Sequence, residues 1–237
     1  MKLCPRWVAP NLLTLVGFLF CFGHFGLLAL YDYDFRSATY IPGGDNQETV
    51  PGWAWFLVAL FLFLAHTLDG IDGKQVKGHF DNCFLILFTF LPLQARRTGS
   101  SNPLGELFDH GLDSWSTIFI TGAIYSMFGR DDDGLSVPTF RMFCLFWNVY
   151  FCFLISHWEK YNTGVLYLPW GYDFSMVTSF TMYLVTSVTG TSLWKQPLVG
   201  GLYPSHILEV GCYLGNIGMG IPVALYNIRQ SYIDVRK

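Results

Sequence analysis

Residues 53–75 read WAWFLVALFLFLAHTLDGIDGKQ. Residues 53–68 contain no Asp, Glu, Lys or Arg, and the run then ends on Asp69 and Asp72. A membrane-spanning helix needs about 20 mainly apolar residues, so this stretch predicts a span that meets acids where it should leave the bilayer. The rest of the chain agrees. Of 237 residues, 52% are hydrophobic, 18% aromatic and only 13% charged, with a mean hydropathy of +0.36. A soluble domain carries about 25% charge, and half of that leaves too little polar surface to cover a soluble globule of this size. Disorder requires low hydrophobicity and high net charge. The net charge of -3 supplies no basic field for nucleic acid.

Further apolar runs occupy residues 10–30, 112–128, 140–158, 174–194 and 206–228. With residues 53–68 they predict an all-α, polytopic integral membrane protein of about six transmembrane helices. Lys2 and Arg6 would suit a signal peptide, but residues 10–30 are long and no A-x-A site closes them, so they read as a retained span. The six cysteines are scattered, mostly in apolar runs and without CxxC spacing, and read as small buried hydrophobes. Gly211 and Gly215 have the small-residue spacing of a helix-packing face.

Six spans put both termini on one side. That side collects Lys2, Arg6, Lys74, Lys77, Arg96, Arg97, Lys160, Arg229, Arg236 and Lys237, and the other collects Arg36, Arg130, Arg141 and Lys195. The excess predicts cytosolic termini and a cytosolic loop after the second span.

The acids concentrate around that loop. Asp69 and Asp72 are three residues apart and share a face on a continued helix. Before the third span, PLGELFDHGLDSW (residues 103–115) places Glu106, Asp109, His110 and Asp113 on one helical stripe. Carboxylates near a bilayer pair with something or coordinate it. Two Asp pairs on adjacent antiparallel helices make an all-oxygen site of the kind that suits Mg²⁺ or Mn²⁺, especially when a phosphate substrate completes the shell. Arg96 and Arg97 suit phosphate oxygens. Any one of these acids alone reads better as a solvated helix-end charge; the set, gathered in one segment with interposed glycines, reads as a site.

These residues resemble the CDP-alcohol phosphotransferase family, whose signature is D-x2-D-G-x2-A-R-x8-G-x3-D-x3-D. Asp69, Asp72 and Gly73 match its first part; Ala95, Arg96, Gly105, Asp109 and Asp113 match the remainder at the family spacing. The segments APNLLTLVG (9–17) and HWEKYNTGVLYLPWGYD (157–173) are similar to the eukaryotic branch, the second more to its ethanolamine-using than its choline-using members. The likeness covers nearly the whole of residues 1–237 as one membrane domain. It breaks at residues 76–94, VKGHFDNCFLILFTFLPLQ, which separate Gln75 from Ala95. This segment begins with Val, whose codons start GT. It ends in Gln, which CAG encodes, and is rich in Phe, Leu and Pro near its end, as a translated pyrimidine tract would be. It reads as a retained intron or gene-model error rather than a true insertion. The family's eukaryotic members also have a stretch before the position of Met1 and about four further helices, so the chain is expected to be a shortened form.

The resemblance implies that the protein transfers phosphoethanolamine from CDP-ethanolamine to diacylglycerol, giving phosphatidylethanolamine and CMP, with a choline-using activity as the alternative. It implies two Mg²⁺ or Mn²⁺ ions held by Asp69, Asp72, Asp109 and Asp113. Such ions clamp the pyrophosphate and offset charge on the leaving group. Arg96 would bind phosphate, Gly73 and Gly105 would admit backbone and nucleotide at close range, and Asn11 and Thr14 would lie near the nucleotide unless they only cap the first helix. Asp113 is the family's usual base. His110, oriented by Glu106, is the rival, because an imidazole titrates near neutrality. His157, Trp158 and Glu159 would line the headgroup side or anchor the interface. The same resemblance implies a homodimer in the endoplasmic reticulum or Golgi membrane, with membrane lipid around it and the site facing the cytosol. The interruption at 76–94 lengthens the tether of Arg96 and predicts reduced or absent activity. A transporter would spread its acids over several helices instead of gathering them. A catalytically impaired membrane fragment is the third reading.

Overall fold

The computed structural model describes residues 10–38, 50–72, 103–130, 135–164 and 170–235. Among these the chain is all-α, without strands. Helix α1 runs Pro10–Tyr31, α2 Gly52–Asp72, α3 Pro103–Phe128, α4 Thr139–Thr163 and α5 Trp170–Thr189. Short 3₁₀ turns at Thr191–Lys195 and Val199–Gly201 lead to α6, Pro204–Tyr213. A π-helical stretch, Leu214–Gly220, then continues into α7, Ile221–Val235. Among the described residues, four stretches are long and apolar enough to cross a membrane: Asn11–Tyr31, Gly52–Asp69, Thr139–Thr163 and Pro204–Ile233. Helices α3 (26 residues) and α5 (20 residues) run beside them and fall short of that combination of length and hydropathy.

Helix α2 is the centre of the bundle and packs on α1 and α5. Trp55, Val58, Leu62 and Ala65 recur at helical spacing and are buried along it. Helix α1 answers with Thr14, Gly17, Cys21, His24 and Leu28, a buried seam at steps of three and four, while Leu12, Leu15, Leu19 and Phe22 point outward. That is the two-faced pattern of a helix with a protein side and a lipid side. The seam is tight. A Cβ on Gly17 would lie 3.4 Å from the Ala65 carbonyl, and one on Gly52 would lie 2.6 Å from the Ser187 carbonyl. Glycine at position 52 is therefore what lets the start of α2 meet the end of α5.

Helix α4 packs on α7 and the π segment. Met142 and Leu145 are buried beneath it, while Phe143, Trp147, Phe151 and Leu154 face outward. Arg141 forks onto Glu209, with Nε to Oε1 at 3.0 Å, and ties α4 to α6. Beyond α1, Asp32 Oδ1 accepts the backbone N–H groups of Arg36 (2.6 Å) and Ser37 (2.9 Å), and Oδ2 accepts the Ser126 hydroxyl. Three donors on one buried carboxylate lock the α1 exit to α3.

Three sequence expectations change. The third helix starts at Pro103 rather than near residue 112, so the whole acidic stripe is helical. The fifth ends at Thr189 rather than continuing to 194, because Gly190 adopts φ 78° and the chain tightens into a 3₁₀ turn. Gly211 and Gly215 do not mark a close packing face: a Cβ on either would meet no described atom within 4 Å. Gly215 instead opens the glycine-rich π stretch, where the helical ladder widens.

Candidate functional site

The beginnings of α1, α3 and α5 and the ends of α2 and α4 meet at one end of the bundle. Helix α2 delivers Asp69 there and then continues through Gly70 to Asp72. Helix α3 delivers Asp109 and Asp113 from its first turns. Four residues apart, they stand one above the other on one face. One carboxylate oxygen from each of Asp69, Asp109 and Asp113 lies within 4.8 Å of the others, and all three residues are half-buried. Such an oxygen set suits a hard divalent cation. Exposed carboxylates would spread apart in water; here two helices hold three of them together.

Beneath the acids, the Cys21 thiol and Ser116 hydroxyl hydrogen-bond across α1 and α3. Thr14 is buried about two turns earlier on α1, and Gly17 brings the α1 backbone up to Leu68 and Asp69. The expected substrate residue Thr14 therefore sits at the site floor, whereas Asn11, in the first turn of α1, is exposed. Gly105 lies on α3 one turn before Asp109. Asp72 closes α2 and Glu106 stands in the first turn of α3; their side chains, together with Gly73, Arg96 and the segment 76–94, lie outside the described residues.

His110 is turned toward α4. Lys160 Nζ is 3.0 Å from its Nε2, and the His157 ring stands edge-on at 4.4 Å between centroids. An ammonium can only donate, so Nε2 is an acceptor in this contact. His157 Nδ1 in turn donates to the Phe153 carbonyl at 2.9 Å. Glu159 is buried and accepts from Asn227 Nδ2 at 2.7 Å, which fixes α4 to α7, while Trp158 is exposed.

Two contributors were absent from the sequence expectations. Lys160 brings a cation to the acidic stripe from the end of α4. Tyr172, in the first turn of α5, hydrogen-bonds through its hydroxyl to Asp69. Its ring meets His66 edge-on at 5.6 Å, and Asp173 Oδ1 lies 3.6 Å from His66 Nε2. An aromatic residue three positions after Pro169 in the sequence was the available signal for Tyr172, but its partner lies on another helix.

No protein-family model matches the chain. The chain is similar to ethanolaminephosphotransferase 1 of Homo sapiens, 45% identical over 235 residues, which covers 98% of this chain and 52% of the relative. Ethanolaminephosphotransferase 1 of Mus musculus is likewise 45% identical over 235 residues, with the same coverage of each chain. Cholinephosphotransferase 1 of Danio rerio is 36% identical over 205 residues, 83% of this chain and 43% of that one. The chain thus spans about half the length of these curated relatives.

Proposed function

We propose, for a chain related over almost its whole length to the CDP-alcohol phosphotransferases, that it belongs to an enzyme transferring phosphoethanolamine from CDP-ethanolamine to diacylglycerol. The observation that carries the reading is the convergence of Asp69, Asp109 and Asp113, the signature acids, into one cluster within 4.8 Å. Ethanolamine is preferred to choline because identity is 45% to the ethanolaminephosphotransferases and 36% to the cholinephosphotransferase.

In the proposed reaction the diacylglycerol hydroxyl attacks the phosphorus that bears ethanolamine. The bond from that phosphorus to the bridging oxygen breaks, and CMP leaves with the bond's electron pair. The hydroxyl proton passes to a base. Asp113 is the better candidate, because the Nε2 lone pair of His110 already accepts from Lys160. Divalent cations suit the all-oxygen set of Asp69, Asp109 and Asp113, with Asp72 as a fourth ligand. They would supply charge neutralisation on the diphosphate. Lys160 brings a positive charge to the same rim, and Arg96 is assigned to phosphate on the family spacing alone. Gly17 and Thr14 let the α1 backbone close the floor without bulk, and we assign Asn11, Thr14, Gly73 and Gly105 to the nucleotide side. We place the site on the cytosolic side of the endoplasmic reticulum or Golgi membrane, supported by the Lys and Arg asymmetry. The homodimer rests on the family resemblance alone.

The test is an assay of microsomes expressing this chain with radiolabelled CDP-ethanolamine or CDP-choline, diacylglycerol and Mn²⁺. Labelled phosphatidylethanolamine is expected to exceed phosphatidylcholine. Labelled lipid from CDP-choline alone would replace the substrate, and no labelled lipid from either would support the impaired-fragment reading.

A further inference from the structure

A hydrogen-bond donor reaches the acidic cluster from outside its own two helices. Tyr172 reaches from the first turn of α5 and hydrogen-bonds to Asp69 of α2. The contact is built in, because the same turn of α5 grips α2 twice more. The Tyr172 ring meets His66 edge-on at 5.6 Å, and Asp173 approaches His66 Nε2 at 3.6 Å. His66 is buried and lies three residues before Asp69, on the same side of α2. The tyrosine thus sets its ring edge-on against one turn of α2 and offers its hydroxyl to the next.

We infer that Tyr172 is a positioning residue, which holds the Asp69 carboxylate in the geometry that binds a divalent cation. The inference rests on the proposed cation site. Three carboxylates with oxygens inside 4.8 Å repel one another when no cation is present. Asp69 is the only one of the three on α2, so its rotamer alone decides whether the cluster stays assembled across the two helices. A phenol donates one hydrogen bond, enough to restrain the carboxylate whose oxygen also lies within 4.8 Å of those of Asp109 and Asp113. Donors of this kind orient metal-binding carboxylates without touching the metal, and removing one typically costs about 10–100-fold in metal affinity.

The experiment uses the full chain in detergent. Mn²⁺ binding without substrate is measured from the electron paramagnetic resonance signal of free Mn²⁺, and thermal midpoints are measured in EDTA. Tyr172→Phe keeps the ring on His66 and deletes only the hydroxyl. It is expected to weaken Mn²⁺ binding about 10–100-fold with the metal-free midpoint unchanged, and to raise the half-activating Mn²⁺ concentration while activity at saturating Mn²⁺ largely recovers. Wild-type Mn²⁺ affinity in Tyr172→Phe, with or without a lowered metal-free midpoint, would make the residue a packing element and overturn the inference. Asp109→Asn separates the two levels. If it abolishes Mn²⁺ binding while Tyr172→Phe does not change it, the tyrosine reading fails and the cation site stands. If the unsubstituted chain binds no Mn²⁺, both fail.

Discussion

The two ends of the helix bundle handle buried acid in opposite ways. At the end where α1 leaves the bundle, Asp32 gathers two backbone N–H groups and the Ser126 hydroxyl, and Glu209 gathers the fork of Arg141. Each carboxylate there has donors arranged around it and serves to fasten one element to another. At the other end, Asp69, Asp109 and Asp113 are gathered around each other. Mutual repulsion makes such a cluster costly, so the second arrangement fits a ligand that brings positive charge, whereas the first is complete within the chain. Substitutions at the two ends are therefore expected to separate activity from stability.

The largest effect is expected at the clustered end. Asp113→Asn removes both a cation ligand and the assigned base at nearly constant volume. Activity is expected to fall about 10²–10⁴-fold, the range for loss of a general base, while the thermal midpoint in EDTA stays the same or rises as repulsion is relieved. A normal rate in Asp113→Asn would erase the distinction between the two ends. Next is the segment 76–94, which interrupts the signature between Asp72 and Arg96. A chain lacking it is expected to turn over faster in the microsomal assay, and equal turnover would show that the cluster works without a short tether to Arg96. Transcript reads joining the Gln75 and Ala95 codons would identify the segment as a retained intron.

Asp32→Ala probes the fastened end. It strands two backbone donors and the Ser126 hydroxyl at a site where Asp32 is 5% exposed. Loss of hydrogen bonds to a charged group is expected to cost about 1.5–3 kcal/mol, seen as a lower thermal midpoint, with the rate per folded molecule unchanged. A large loss of rate at unchanged stability would join the two ends functionally.

The clustered end was the more legible of the two in the sequence, for a physical reason. Asp109 and Asp113 at i and i+4 share a face of any helix, and the apolar run ending on Asp69 places that acid where α2 leaves the core. Helical periodicity assigns faces, so it found the stripe. It does not assign neighbours. Tyr172 meets Asp69 and Lys160 meets His110 only through the packing of α5 on α2 and α4 on α3, and neither contact leaves a local pattern. The end of the fifth helix was misread for a related reason. Leu193 and Trp194 extend the apolar run, but Gly190 takes a positive φ and ends the helix first. The Gly211–Gly215 spacing was misread as packing because small residues also suit a widened π turn.

The smallest expected effect tests whether the fastened end depends on geometry or only on charge. Arg141→Lys keeps the positive charge opposite Glu209 but replaces a planar fork with a point donor, so one of the two parallel hydrogen bonds is lost. The Arg141 side chain is 47% exposed and the Glu209 side chain 7%. Water therefore screens one partner, while the other still needs its donor. An exposed or half-exposed pair contributes about 0.2–1 kcal/mol, and the lysine is expected to lose a fraction of that, a shift of the thermal midpoint close to the limit of measurement. Arg141→Met, which leaves Glu209 buried with no cation, is expected to cost more than Arg141→Lys. If the two variants fall equally, the planar fork is what fastens α4 to α6. If only the methionine falls, charge alone suffices there, in contrast to Asp32, where three directed donors make geometry do the fastening.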